Sequence, residues 1–70
     1  MAKTLTGKYD SLGKARNALD DLINIGLNRE KIFLDRDNTL VKVMIPNDIE
    51  REVREILDRH KPEAVTERTM

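Results

Sequence analysis

Ile32-Phe33-Leu34-Asp35-Arg36-Asp37-Asn38-Thr39-Leu40-Val41-Lys42-Val43-Met44-Ile45 is the stretch on which the fold turns. Two β-rich runs, Lys31 to Leu34 and Leu40 to Ile45, flank Asp35-Arg36-Asp37-Asn38. Short Asp and Asn side chains bond nearby backbone and tolerate unusual angles, so the four read as a turn and the whole as a β-hairpin. In the second run Val41, Val43 and Ile45 are β-branched and share one parity, while Leu40, Lys42 and Met44 share the other. An unpaired charge such as Lys42 is too costly to bury. The valine-isoleucine face is therefore the buried one, joined by Ile32 and Leu34, and Lys31, Phe33, Leu40, Lys42 and Met44 face outward.

Downstream, Pro46 breaks the strand, Asn47 offers a cap, and Glu50 stands three residues on in an approximate capping box. Ile49, Val53, Ile56 and Leu57 form the apolar stripe of a helix. Glu50 with Arg54 and Glu55 with Arg59 fall at the i,i+4 spacing, acid first, which predicts a salt-laced solvated outer face. Pro62 follows the helix, and Ala64 to Thr69 alternates weakly, as an edge strand would.

Upstream, Leu5, Gly7 and Tyr9 share a parity against Thr4, Thr6 and Lys8, which predicts a half-buried strand over Leu5 to Tyr9. Asp10-Ser11 offers helix caps, and Leu12, Ala15, Leu19, Leu22 and Ile23 recur at steps of three and four. Gly26 sits where a left-handed C-cap belongs. The order is β-α-β-β-α-β, an α+β ferredoxin-like arrangement: a four-stranded antiparallel sheet with two helices on one face. Right-handed crossovers would place the first and third strands centrally.

All 70 residues are expected to form one domain, because chains split into several cores only well above this length. A core this small is marginal, and the chain has no Cys, so neither a disulfide nor a thiolate metal site can help; self-association would. Thirteen Lys and Arg balance thirteen Asp and Glu, which argues against phosphate-backbone binding. No segment resembles a leader, and none approaches the roughly 18 apolar residues of a membrane span. A cytoplasmic protein without membrane contact is the expectation.

Catalytic patterns fail one by one. Gly7 to Lys14 approaches a P-loop, yet five residues separate its glycines and Ala15 stands where the Mg²⁺-binding hydroxyl belongs. Asp35, Asp37 and Asn38 begin like a calcium loop, but Leu40 holds the sixth position and Pro46 the twelfth. His60 is the only histidine, placed to meet the dipole of a helix C-terminus, and it has neither a second His nor a Cys partner. Asp20 and Asp21 are adjacent on a polar helix face and point apart, unlike an acid-base pair. No enzyme, metal site or cofactor is expected.

The unusual feature is the open sheet face, where Phe33, Leu40 and Met44 interleave with Lys8, Lys31 and Lys42. These six are the candidate binding residues. They predict a homodimer through that face, in which the lysines lie at the rim or meet acids such as Asp35.

Tyr9-Asp10-Ser11, Ala15-Arg16-Asn17-Ala18-Leu19 and Leu22-Ile23-Asn24-Ile25-Gly26-Leu27 resemble small ferredoxin-like domains of the general stress protein 17M type. These share an aromatic-Asp lead into the first helix, an Ala/Leu-rich helix and a Gly-hydrophobic exit. The likeness covers roughly the first half of the chain and implies no catalytic residues. A non-enzymatic interaction or regulatory module is the leading expectation, with a small ligand at a dimer edge as on ACT-like domains of this topology. The alternative is a single-strand-binding module of the RNA-recognition-motif kind, which would stack bases on central-strand aromatics; here the one open-face aromatic, Phe33, lies on a peripheral strand. An acylphosphatase-like enzyme would need an Arg-bearing phosphate loop where Asp10 stands.

Overall fold

A computed structural model describes residues 2–69 of the chain. The elements are β1 (Ala2–Lys8), α1 (Leu12–Asn24), β2 (Ile32–Asp35), β3 (Leu40–Pro46), α2 (Glu50–Arg59) and β4 (Ala64–Thr69). Single 3-10 turns at Arg29–Lys31 and Asn47–Ile49 precede β2 and α2. The strands form one antiparallel sheet in the order β2-β3-β1-β4, so β1 and β3 are central as the crossover argument requires. This is the ferredoxin-like βαββαβ arrangement.

Periodicity explains the core. Leu5, Val41, Val43 and Ile45 from the sheet meet Ala15, Ala18 and Leu22 of α1 and Val53, Ile56 and Leu57 of α2, all buried. Small Ala15 and Ala18 let α1 approach the sheet closely, and Ile32, Leu34, Leu27, Ile49 and Val65 close the margins. Each alternation is the period of two a strand imposes, and each helix stripe the period of 3.6.

The helix ends show local chemistry at work. Ser11 caps α1, its side-chain oxygen accepting from the Lys14 N–H at 3.2 Å. At the far end Gly26, with φ +103°, bonds its N–H to the Ile23 carbonyl while the Leu27 N–H reaches the Leu22 carbonyl. That pair of bonds is a Schellman closure, which needs the left-handed angle glycine supplies. At α2 the cap falls two residues after the expected Asn47. Ile49 is the N-cap and makes no side-chain bond, the Asn47 side chain lies outside the described residues, and the Glu50 carboxylate is drawn to Lys3 and Arg54 instead.

Three further expectations need correction. β1 begins at Ala2 and ends at Lys8, so Tyr9 leaves the strand; its N–H then bonds the Thr39 carbonyl at 2.9 Å and its ring turns into the core. Lys31 ends a 3-10 turn capped by the Asn28 side chain, which takes it off the paired strand that carries the open face. In the hairpin turn the positive φ falls on Thr39, at 51°, not on an Asp or Asn. That angle is unusual for a β-branched residue. It is held by the Thr39 hydroxyl donating to the Tyr9 carbonyl and by Lys8 donating to that hydroxyl.

Tyr9 is fully buried, and its hydroxyl donates to the Leu57 carbonyl at 2.8 Å, tying the end of β1 to α2. Burial, with the Asp58 charge adding to it, pushes the phenol from its ordinary 10.0 up to about 12. The folded state thus favours the neutral phenol. Its stabilisation is complete below pH 10 and is lost as pH rises from 10 to about 12, by roughly 2–3 kcal/mol. Lys3, whose carboxylate partners raise its pKa, loses its contribution in the same direction. Urea midpoints at pH 9 and 11.5 should therefore fall more steeply for the wild type than for Tyr9→Phe, which retains Lys3. Parallel falls in the two proteins would refute the role of the phenol.

Candidate functional site: the open sheet face

The pairing register lays out the open face row by row. Phe33 lies opposite Lys42, Lys42 opposite Thr6, and Thr6 opposite Thr66, forming the middle row. On one side of it run Asp35, Leu40, Lys8 and Ala64; on the other run Met44, Thr4 and Arg68. The apolar members thus fall on the β2-β3 half, and the β1-β4 half carries threonines, alanine and two cations.

Five of the six expected residues lie on this face. Phe33 is 59% exposed and Met44 41%, whereas Leu40 is half-buried. Lys42 is exposed beside Phe33. Lys8 is committed to the hairpin: its ammonium donates to the Asn38 carbonyl and the Thr39 hydroxyl. Only Lys31 is displaced, as described above.

Two charged residues of the face stand outside the six candidates. Arg68 arrives through β4, opposite Thr4. Asp35 arrives because the last residue of β2 still follows the strand's alternation. Its Oδ1 accepts from the Asp37 and Asn38 backbone N–H groups and its Oδ2 from the Asn38 side chain. The bonds from Asn38 lead in holding this carboxyl below the usual carboxylate range, with Lys42 adding to them. Asp35 is therefore a fixed negative charge beside an exposed cation. The parity of Phe33 would have revealed it.

The opposite side of the sheet is closed by charge. Lys3 is bonded to Glu50 of α2 and to Glu67 of β4, while Arg54 lies 3.0 Å from Glu50 and 3.5 Å from Glu67. These hydrogen bonds raise the Lys3 pKa and lower that of Glu50. The Glu50-Arg54 pair forms as its spacing predicts, but it is part of a link between helix and sheet, not of a solvated face. Arg59 turns to Asp21 of α1, at 3.9 Å, and the Nε2 of His60 lies 2.6 Å from the same carboxylate. His60 thus joins the ends of the two helices in addition to standing at the α2 C-cap.

Among the described residues no group of three or more His, Cys, Asp or Glu could hold a metal ion, and no helix is long and apolar enough to cross a membrane. Comparison with protein-family models, with curated proteins and with solved structures gave no match.

Proposed function

We propose that the chain is a non-enzymatic interaction module that associates with a second copy of itself through the open sheet face. The observation that carries this reading is the apolar group on the open face of β2 and β3, exposed Phe33 and Met44 with half-buried Leu40 further along β3, on the side of the sheet away from the helices. Covering that group would give a marginal core the burial it lacks. A small ligand at the edge of such a dimer and kinship with the stress protein 17M type belong to the same reading. The cysteine-free composition fits a reducing compartment, and we place the protein in the cytoplasm.

Sedimentation equilibrium across a hundredfold range of concentration tests it. The wild type should shift from monomer to dimer, and Phe33→Ser combined with Met44→Ser should stay monomeric and lose the concentration dependence of melting. A wild type that is monomeric throughout, or a dimer untouched by the double change, overturns the reading. Saturable binding of single-stranded RNA by that monomer at low salt would assign the same face to nucleic acid instead.

A further inference from the structure

The β2-β3 register creates a block of four open-face residues with a pattern of its own. Phe33 lies opposite Lys42, and Asp35 opposite Leu40. One diagonal of the block, Phe33 to Leu40, is apolar; the other, Asp35 to Lys42, carries one charge of each sign. Neighbours in the block are about 5–7 Å apart, the spacing of paired strands and of alternate residues along a strand.

An isologous dimer requires that whatever one copy presents at a point, the other copy accepts at the symmetry-related point. Four in-plane axes set the corners of one block against those of another, the two diagonal ones with an offset of about 3 Å that long side chains such as lysine span. An axis along the strands sets Phe33 against Lys42 and Asp35 against Leu40, covering each charge with an apolar group. An axis across the strands sets Phe33 against Asp35 and Lys42 against Leu40, with the same fault. The axis along the charged diagonal sets Asp35 on Asp35 and Lys42 on Lys42. The axis along the apolar diagonal sets Phe33 on Phe33 and Leu40 on Leu40, and meets each Asp35 with a Lys42.

Resting on the self-association reading, we propose that two copies join about a two-fold axis lying along the Phe33–Leu40 diagonal, so that Asp35 of each copy pairs with Lys42 of the other. The apolar seam runs along the axis, flanked by two equivalent ion pairs. The hairpin turn keeps Asp35 in place: three hydrogen bonds hold its carboxylate before the partner arrives, so little ordering entropy opposes the pairing. The strands of the two copies then cross steeply, and the threonines of β1 and β4 fall outside the seam. Because both ion pairs sit at its rim, salt weakens the dimer.

Charge reversal and single-cysteine scanning test this geometry, the latter helped by a chain without cysteine. Lys42→Glu should weaken dimerisation at least about tenfold, since it faces Asp35 at both symmetry-related sites. Arg68→Glu, the same change of charge on the same face but off the block, should leave the constant within about twofold. Both substitutions are at exposed positions, and unchanged circular dichroism confirms their folding. Phe33→Cys and Leu40→Cys should each cross-link to themselves on oxidation much faster than Thr66→Cys, because only positions on the axis face their own copy across the two packed sheets, whereas position 66 lies off the seam. If the wild type dimerises and Phe33→Ser with Met44→Ser abolishes this, yet Lys42→Glu and Arg68→Glu act equally or Thr66→Cys cross-links as fast as Phe33→Cys, the axis is overturned while the open-face reading stands. A monomeric wild type overturns both.

Discussion

Val43→Asp is expected to unfold the domain or to cost about 3–5 kcal/mol, the scale of an uncompensated buried charge. Val43 is fully buried at the middle of the sheet, paired with Leu5 on one side and Ile32 on the other, within the core cluster. No cation lies among the residues of this core cluster. Lys42→Asp, one position along the same strand, points the same carboxylate to solvent and should change stability by no more than about 1 kcal/mol at concentrations where the protein is monomeric. Urea titration of the two variants decides the matter. Equal losses would mean that the faces of β3 are wrongly assigned and the candidate site with them.

Gly7 supplies the second large effect. Its backbone is ordinary strand, so the constraint is one of space: a Cβ there would lie 3.0 Å from Tyr9 Cε2 and 3.2 Å from its hydroxyl oxygen. That ring cannot easily retreat, being buried and hydrogen-bonded to the Leu57 carbonyl. Gly7→Ala should cost about 1 kcal/mol, the gain in strand propensity partly offsetting the crowding, and Gly7→Val about 3 kcal/mol or more. The mechanism predicts coupling. In a Tyr9→Leu background, where the crowding ring is gone, Gly7→Ala should cost nothing or stabilise slightly. A penalty for Gly7→Ala that is the same in both backgrounds would show that the strand itself, not the ring, requires glycine.

The pairing of Gly7 with Tyr9 also marks where sequence reading stops. Both share the parity of Leu5, and both are buried. What parity could not convey is that Tyr9 leaves the strand and folds its ring back over Gly7, because that turn is fixed by the distant carbonyls of Thr39 and Leu57. The charges show the same limit. Glu50 and Arg54 pair as their spacing of four predicts, yet Lys3 and Glu67, from the two ends of the chain, complete the group. Glu55 and Arg59 have the same spacing, but Arg59 turns to Asp21 on the other helix. Helical spacing says which groups can meet locally; it carries no information about a better partner brought alongside by packing.

The sequence by itself determined the order of elements, the buried faces of β1, β2 and β3 and the stripe of α2. These follow from periods of two and 3.6 and from the cost of burying charge, all of which act within a few residues. On α1 only Ala15 and Leu22 of the expected stripe enter the core, joined by Ala18, while Leu12, Leu19 and Ile23 stay half-buried. The tertiary structure decided what lies across a strand boundary or between helices: that Lys31 turns aside before β2, that Lys8 is held by the hairpin, and that Asp35 and Lys42 stand on opposite corners of one block with Phe33 and Leu40 between them. Register is the reason. Alternation tells which residues share a face, but which of them are neighbours depends on how one strand is set against the next, and that is fixed only when the whole sheet closes over its core.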